Sequence, residues 1–347
     1  MTASPRIGVF YEHPVWFEPL FDELARRGIA FDRILAHSHS FDPLETRPTH
    51  DLIVNRMSPS AFTRGHANAI PYTLEYLAHL DAVGAQVING LAAYRYEFSK
   101  ARQLQLMARL GVRHPRARVI NHPSQAADAA EGLTFPVLVK PNVGGSGAGI
   151  RRFETPDELR RASEDGSIDL GLDHVGIVQE HLPARDASIV RVEVLGGRFL
   201  YAIRLRLESP TSFNLCPADY CRLPAPGEAA GAAPVRAVAA PQVATVVTAP
   251  GEAAGAVGSV DEWVPVEGYS PPREAIDTVL RLTRAAHIEV GGVEYLVNDR
   301  DGEVYYYDVN ALSNFVANAP DVVGFDPFPR LVDYIEQRAG LRAAAAD

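Results

Sequence analysis

The sequence of 347 residues predicts a mixed fold, with an α/β lobe at its amino end and α+β lobes after it. Three observations predict this class. Strand-like and helix-like segments alternate over residues 1–95, two turns join later strand-like runs into hairpins, and residues 224–261 form a low-complexity insertion. A chain of this length can bury two or three lobes around an extended core.

The first lobe alternates short apolar runs with segments of helical spacing. Strands are predicted at 6–10, 32–36, 51–55 and 86–89, and helices at 18–28 and 72–83. This alternation is typical of a parallel sheet covered by helices. The first turn, Tyr11–Pro14, lacks the G-x-G-x-x-G pattern, so a dinucleotide fingerprint is absent there.

The remaining elements lie on both sides of the insertion. A helix is predicted at 96–111, and Thr155-Pro-Asp-Glu158 opens another with an N-cap threonine and a capping box. Gly196-Gly197 is typical of a β-hairpin, and 298–302 reads as a second turn between strands. Further strands are predicted at 117–120, 135–140, 175–180, 188–195, 198–207, 291–297 and 303–309, and further helices near 124–131, 272–286 and 327–339.

Composition excludes several classes of protein. The 47% hydrophobic and 22% charged content is typical of a soluble globular chain. A net charge of −10 argues against non-specific nucleic-acid binding, and no run of eighteen apolar residues predicts a membrane span. The amino end does not resemble a signal peptide, and two cysteines give no disulfide framework. We therefore expect a cytoplasmic protein without nucleic-acid or membrane partners.

The basic residues are distributed unevenly between the two common types. Of 33 basic residues, 31 are arginine, and the two lysines are Lys100 and Lys140. A compact ammonium suits sites where a planar guanidinium does not fit. The two lysines are therefore either present by chance or occupy positions that require an ammonium group.

Lys140 ends an apolar strand just before a loop with glycines at 144, 145, 147 and 149. The loop lacks the G-K-[ST] ending of a P-loop. Its backbone amides could close over phosphate oxygens while Lys140 supplies charge, or the glycines could form a plain structural turn. Both interpretations stay open on these residues alone.

A second set of polar residues carries oxygen ligands. Asp308 and Asn310 share one face of a predicted strand, and Glu294 lies on the strand that precedes the 298–302 turn. If the two strands pair, two carboxylates and an amide oxygen meet in a set that suits Mg²⁺. The alternative is a solvated sheet face with ordinary polar residues.

Taken in chain order, these features resemble the ATP-grasp superfamily. Lys100, Lys140 with its glycine loop, Gln179-Glu180, Arg191 and the Glu294/Asp308/Asn310 set follow that order. The pattern is most similar to RimK-type glutamate ligases, with glutathione synthetase and D-alanine–D-alanine ligase as more distant relatives. The resemblance covers roughly residues 5–340, apart from 208–262.

The resemblance implies a division into domains. Residues 1–95 would be the pre-ATP-grasp α/β domain, and 96–190 the central subdomain with a flap at 140–152. Residues 191–340 would be the carboxyl-terminal subdomain with the insertion, followed by a tail at 341–347.

The resemblance also implies a role for each candidate site residue. ATP would be bound by Lys100, Lys140, Gly144, Gly145, Ser146, Gly147, Gln179, Glu180, His181, Leu182 and Asp186. Magnesium, or manganese, would be held by Glu294, Asp308 and Asn310. Arg191 and Arg204 would face the transferred phosphoryl group or an acyl substrate, with Arg56 and Asn314 as candidate substrate contacts.

Three departures from the family pattern concern the same region. Asp308 replaces the usual glutamate of the E-V-N motif, and Ala311–Phe315 replaces its N-x-[SP]-P-G continuation. Ile189 stands where an acid is expected before Arg191, so Asp186 or Ser188 is left as the ribose contact. Substrate identity is therefore the least transferable property.

The activity implied is that of an ATP-dependent carboxylate–amine ligase that works through an acylphosphate. The alternatives are an ATP-grasp kinase that phosphorylates a hydroxyl group and a non-catalytic ATP-binding protein. Partners would be a small-molecule carboxylate and an amine, with amino acids and peptides as candidates, and a homo-oligomer stays open.

Three weaker candidates carry two interpretations each. His37 and His39 are interpreted as part of a solvated loop, with a metal site as the alternative. Cys216 and Cys221 are interpreted as part of a buried segment, with a redox or zinc pair as the alternative. Arg56 ends a predicted parallel strand, where it would either bind a substrate carboxylate or lie at the protein surface.

Overall fold

The computed structural model describes residues 4–13, 15–207 and 266–341. The predicted insertion at 224–261, Cys216, Cys221 and most of the predicted tail lie outside these ranges. Within them, no helix is long and apolar enough to cross a membrane.

The amino-terminal part forms the predicted parallel sheet. Its strands are β1 (Ile7–Tyr11), β2 (Phe31–Leu35), β3 (Leu52–Arg56) and β4 (Val87–Ile88), in the order β2-β1-β3-β4. All neighbours run parallel. The helices α1 (Glu18–Arg26) and α2 (Ala69–Ala82) connect the strands, as the helical spacing predicts.

The single helix predicted at 96–111 is two helices, and this prediction is corrected. They are α3 (Leu91–Glu97) and α4 (Lys100–Arg109). Ser99 lies between them in an extended conformation, with φ −138° and ψ 110°, and its side chain accepts the backbone N–H of Arg102. Because Ser99 is an N-cap, Lys100 occupies the first position of α4.

The second sheet is antiparallel and lies between residues 117 and 180. Its strands are β5 (Ala117–Ile120), β6 (Val137–Pro141), β7 (Arg151–Phe153) and β8 (Gly176–Glu180), in the order β5-β8-β6-β7. The helices α5 (Ala126–Ala129) and α6 (Pro156–Glu164) pack on one face of it, over Val137, Val139 and Val178. Thr155 caps α6 as predicted, by accepting the Glu158 N–H.

The third sheet is also antiparallel. It contains β9 (Ser188–Leu195), β10 (Arg198–Arg206), β11 (Val266–Gly268), β12 (Val290–Val297) and β13 (Val304–Asn310), in the order β11-β10-β9-β12-β13. Gly196 and Gly197 both have positive φ in the β9–β10 turn, which explains the glycine pair. The helices are α7 (Arg273–Ala285), α8 (Ala319–Val323) and α9 (Pro327–Arg338).

The two faces of β9 bury different partners. Val190, Val192 and Val194 pack on the side of α7. Ile189, on the other face, belongs to a core that also contains β1 and α1 residues of the amino-terminal sheet, such as Ile7 and Leu20. The amino-terminal and third sheets therefore share a core, and polar residues on this second face of β9 point toward the junction.

Candidate active site

One cleft gathers residues from all three sheets. Its wall includes Trp16 and Ser60 from the amino-terminal part, Leu138 from the second sheet and Glu193 from the third. Most of the predicted site residues line it: Lys100, Lys140, Gly144, Gly145, Ser146, Gly147, Gln179, Arg191, Glu294, Asp308, Asn310 and Asn314. Their contacts with a nucleotide or a metal stay predictions.

Asn142 fixes the two lysines beside each other. Its backbone carbonyl accepts the Lys100 N–H at 3.2 Å, and its side-chain Oδ1 accepts the Ala101 N–H at 2.9 Å and the Ser99 hydroxyl at 3.0 Å. Asn142 directly follows β6, which carries Lys140. The strand under the glycine loop and the start of α4 therefore form one rigid corner with an ammonium group on each side.

The two ammonium groups differ in their electrostatics. Burial, helped by the positive charge of Lys100, lowers the pKa of Lys140 to about 7. Burial also disfavours the charged form of Lys100, but its ion pair with Asp308 outweighs this and raises the pKa of Lys100. Lys140 is thus the cation of the cleft that gains most from a negatively charged ligand.

The acidic residues meet because their strands pair in register. Glu294 on β12 lies opposite Asp308 on β13 and opposite Arg191 on β9, and Asn310 lies opposite Gly292. Lys100 Nζ donates to Asp308 Oδ1 at 2.7 Å, and Arg191 Nη1 donates to Glu294 Oε1 at 3.1 Å. Each carboxylate therefore has a cationic partner.

The pKa values of the two carboxylates shift in opposite directions. Burial raises the pKa of Asp308, but the ion pair with Lys100 outweighs it, so the pKa lies below its usual value. Burial and the neighbouring Asp308 charge raise the pKa of Glu294. A divalent cation between them would relieve this repulsion.

The donor set fits a magnesium ion that also binds phosphate. Glu294, Asp308 and Asn310 supply two carboxylates and an amide, and the buried Asn310 Nδ2 has no hydrogen-bond partner in the described part of the chain. No three His, Cys, Asp or Glu side chains come together as a metal cage among the described residues. Mg²⁺ keeps few protein ligands and takes the rest from phosphate and water, so this set suits it.

The glycine loop closes against the amino-terminal part. Residues 142–150 join β6 to β7, and Ser146, Gly147 and Gly149 have φ between 54° and 77°. A Cβ atom at Gly145 would lie 2.9 Å from Ser60 Cβ and 3.3 Å from Ser60 N. Gly145 is therefore glycine because the tip of the loop touches Ser60, across the cleft.

The structure corrects the prediction that Arg204 faces the same cleft as Arg191. Arg204 pairs in register with Val190, which lies on the α7 face of the sheet. Its guanidinium lies over the Tyr269 ring at 4.1 Å and 3.4 Å from Glu267 Oε1. Because alternate residues of a strand face opposite sides, Arg204 points away from the cleft.

The side chain of Glu180 also points away from the cleft, for the same reason. Glu180 pairs with Val137, which belongs to the core under α5 and α6, whereas its neighbour Gln179 pairs with Leu138 on the cleft face. Arg116 and the Thr134 N–H bind its carboxylate. Of the predicted ATP contacts at 179–182, only Gln179 has its side chain in the cleft.

Four other predicted residues lie outside the cleft wall. Leu182 belongs to the core shared with the amino-terminal sheet, and Asp186 is exposed in a turn with φ 56°. The backbone N–H of His181 donates to the Pro136 carbonyl, and burial lowers the pKa of its imidazole to about 4. Their nucleotide contacts stay predictions.

Arg56 is the fourth, and its predicted position is corrected. The residue is 2% exposed, and its Nη2 donates to the Ser313 carbonyl behind the cleft wall. Nε and Nη1 are buried with no hydrogen-bond partner among the described residues. Burial lowers the pKa of Arg56 to about 10.

Sequence reasoning missed several cleft residues, which are Trp16, Ser58, Ser60, Glu97, Glu193 and Tyr307. Glu193 could have been found, since it shares the β9 face of Arg191 two residues away. Glu97 accepts the Ala311 and Leu312 N–H groups, and burial raises its pKa to about 7. No spacing rule connects Trp16 or Ser60 with the distant metal set.

Comparison with known proteins adds a domain match and a fold. Residues 98–210 match the family model of the RimK-like ATP-grasp domain. A probable alpha-L-glutamate ligase of Teredinibacter turnerae is 27% identical over 161 residues, which are 46% of this chain and 50% of that protein. The chain thus spans about half the length of the curated relatives it matches.

Solved structures resemble the whole chain at low sequence identity. The D-cycloserine synthetase DcsG has a TM-score of 0.63 at 15% identity and covers 96% of this chain and 99% of its own. The ATP-grasp ligase PsnB, complexed with a minimal precursor, has a TM-score of 0.61 at 15% identity and covers 97% and 100%. The shared architecture is therefore the ATP-grasp fold, and residues 98–210 of this chain are similar to a RimK-like ATP-grasp domain.

Proposed function

We propose that this protein is an ADP-forming carboxylate–amine ligase that uses ATP and Mg²⁺. The observation that carries the proposal is the convergence of Lys100, Lys140 and Arg191 with Glu294 and Asp308 in one cleft under a glycine-rich flap. Cations and carboxylates of this kind suit a nucleoside triphosphate and its metal. Similarity to relatives named ligases supports the reaction type.

The first step is phosphoryl transfer to an acid. A carboxylate oxygen of the substrate attacks the γ-phosphorus of ATP, an O–P bond forms, and ADP leaves as the bridging P–O bond breaks. Such a step needs in-line positioning and charge neutralisation rather than covalent help from the protein. Lys100 supplies a fixed positive charge, the phosphates would favour the protonated form of Lys140, and Mg²⁺ held by Glu294, Asp308 and Asn310 would neutralise phosphate oxygens.

The second step forms the amide. The amine nitrogen attacks the carbonyl carbon of the acylphosphate, the C–N bond forms, inorganic phosphate leaves, and the nitrogen loses a proton. Water competes with the amine, so the site must be closed during this step. The close approach of Gly145 to Ser60 supports this role for the flap, because it brings the tip of the loop against the amino-terminal part.

Hydroxylamine trapping tests the reaction. The full-length protein is incubated with ATP, Mg²⁺, hydroxylamine and a panel of carboxylic acids, with hydroxamate and ADP both measured. We expect equimolar hydroxamate and ADP with at least one acid. ADP with a stable phosphorylated alcohol and no hydroxamate would instead identify a kinase, and no nucleotide turnover with any acid or alcohol would contradict both.

A further inference from the structure

The carboxylate of Glu193 lies in the cleft with one oxygen bound and the other free. Arg191 Nε donates to Glu193 Oε1 at 2.6 Å. The side chain is 1% exposed, and its Oε2 has no hydrogen-bond partner among the residues that the structure describes. A carboxylate oxygen can accept two hydrogen bonds, so a buried one with none has an unmet requirement.

The fold makes room for this carboxylate. Glu193 pairs in register with Gly292 on β12. A Cβ atom at Gly292 would lie 3.0 Å from the carboxyl carbon and from both oxygens of Glu193. Any side chain at position 292 would therefore push the carboxylate aside, and glycine keeps it in place.

Among the described residues, no basic side chain donates to Glu193 Oε2. Arg191 uses its other arm on Glu294, and Arg56 donates to the Ser313 carbonyl instead of pairing with Glu193. Tyr201, the β10 neighbour of Glu193, accepts the Val316 N–H through its hydroxyl. Oε2 is therefore open to a donor from a ligand in the cleft.

The position of Glu193 also indicates which ligand this is. On β9 it lies two residues beyond Arg191, opposite Gly292 instead of Glu294, and it shares the cleft with Trp16 and Ser58 of the amino-terminal part. ATP phosphates carry negative charge and would be repelled by the carboxylate. Of the two proposed substrates the acid is an anion, whereas an unreacted amine is an ammonium cation at neutral pH.

We propose that Glu193 binds the ammonium group of the amine substrate and selects cationic amines. The proposal rests on the ligase function above. Glu193 holds the nitrogen next to the acyl group and takes one proton from it, so that the neutral amine can attack, and Arg191 holds Glu193. Charge-assisted hydrogen bonds to a buried carboxylate are strong, so loss of the charge weakens amine binding about tenfold or more.

Glu193→Gln tests the proposal because glutamine keeps an acceptor for Arg191 but loses the negative charge. The assay is hydroxamate formation, since hydroxylamine is uncharged at neutral pH, with ammonium compounds added as competitors. The probes are the L- and D-amino acids and putrescine. We expect a compound that suppresses hydroxamate formation in the wild type to need about tenfold more concentration in Glu193→Gln, with each protein compared with its own rate without competitor.

Gly292→Ala is the second variant, because it displaces the carboxylate without removing it. It should weaken competition in the same direction. Equal competition in wild type and Glu193→Gln would overturn the proposal, and so would the absence of competition by every ammonium compound in the wild type. Loss of hydroxamate formation in Glu193→Gln would assign Glu193 to the phosphoryl step through Arg191 instead.

A binding measurement separates this proposal from the ligase function. Calorimetric titration of the same ammonium compounds into the wild type and Glu193→Gln needs no turnover. Binding that Glu193→Gln loses supports the ammonium site even if no acid gives hydroxamate. Equal binding to both proteins contradicts the site whatever reaction the enzyme performs.

Discussion

Lys100 Nζ lies 2.7 Å from Asp308 Oδ1, although 208 residues separate the two along the chain. The pair joins the first turn of α4 to the outer strand of the third sheet. In the proposed reaction Lys100 binds phosphate and Asp308 binds magnesium. The ion pair keeps both side chains in position and neutralises their charges.

Asp308→Asn should raise the Mg²⁺ concentration needed for turnover. Asparagine keeps the shape of the side chain but removes the negative charge that attracts both Lys100 and a cation. We expect the half-saturating Mg²⁺ concentration for ADP release to rise at least about tenfold.

The matched control for this variant is Asp301→Asn, in the exposed turn between β12 and β13. It should leave the magnesium titration unchanged. An unaltered titration in Asp308→Asn would mean that the metal set is assigned incorrectly.

Lys140→Met should abolish most ATP use without weakening the fold. The ammonium is 6% exposed and burial lowers its pKa to about 7, so the folded protein gains little from its charge. Methionine fills a similar volume without a buried cation. We expect kcat/KM for ATP to fall about a hundredfold or more, with an unfolding temperature equal to or above that of the wild type.

Arg151→Met provides the control on the same hairpin. Arg151 lies on β7, and its Nη1 donates to the Ser167 carbonyl outside the cleft. ATP use should stay close to that of the wild type. Equal ATP use by Lys140→Met and the wild type would remove the main support for a nucleotide site under the flap.

The sequence predicts local features better than it predicts which side of a sheet a residue faces. The parallel first sheet, the hairpins and the register of Glu294 with Asp308 follow from apolar periodicity and turn residues. Arg204 was misplaced because the resemblance carries over a role, and strand periodicity gives two faces without saying which one meets the cleft. The side chain of Glu180 points away for the same reason, and its nucleotide contact stays a prediction. Which face meets the cleft depends on the packing of α7 and of α5 and α6, which lie elsewhere in the chain.

Contacts between the amino-terminal part and the rest are the least predictable part of the site. Ser60 contacts Gly145 only in the assembled fold, and no sequence motif around either residue predicts this contact. The composition, by contrast, was informative. The two lysines among 33 basic residues lie side by side in the same cleft.

Gly145→Ala should slow turnover, and Gly144→Ala should not. A methyl group at 145 would lie 2.9 Å from Ser60 Cβ, whereas one at 144 meets only the Ala148 carbonyl at 3.9 Å. Neither residue is among those with positive φ, so alanine strains neither backbone. The difference between the variants therefore reports contact between the flap and Ser60.

The measurements are ADP release and the rate of proteolytic cleavage within residues 142–150. We expect lower kcat and faster cleavage in Gly145→Ala, with wild-type values in Gly144→Ala and equal unfolding temperatures for both. A similar loss of activity in the two variants would show that the loop matters for its flexibility and not for closure on Ser60.

His13 should make the protein less stable as the pH falls from 6.5 toward 4. Its Nδ1 accepts the N–H groups of Val15 and Trp16, each at 3.2 Å, so the ring must be unprotonated at that atom. Burial and the charge of Arg64 lower the pKa of His13 to about 4, against 6.5 in the unfolded chain. The unfolded state therefore takes up a proton first as the pH falls, and the free energy of unfolding decreases.

His13→Asn isolates this contribution, because its amide oxygen can replace Nδ1 as an acceptor but does not titrate. Between pH 6.5 and 5, where the buried Glu97 and Glu294 contribute equally to both proteins, the variant should lose less stability than the wild type in denaturant unfolding. His174→Asn is the control, since His174 is exposed with φ 53°, a conformation that asparagine tolerates. If the free energy of unfolding decreases equally with falling pH in His13→Asn, the wild type and the control, His13 is not held neutral by the fold.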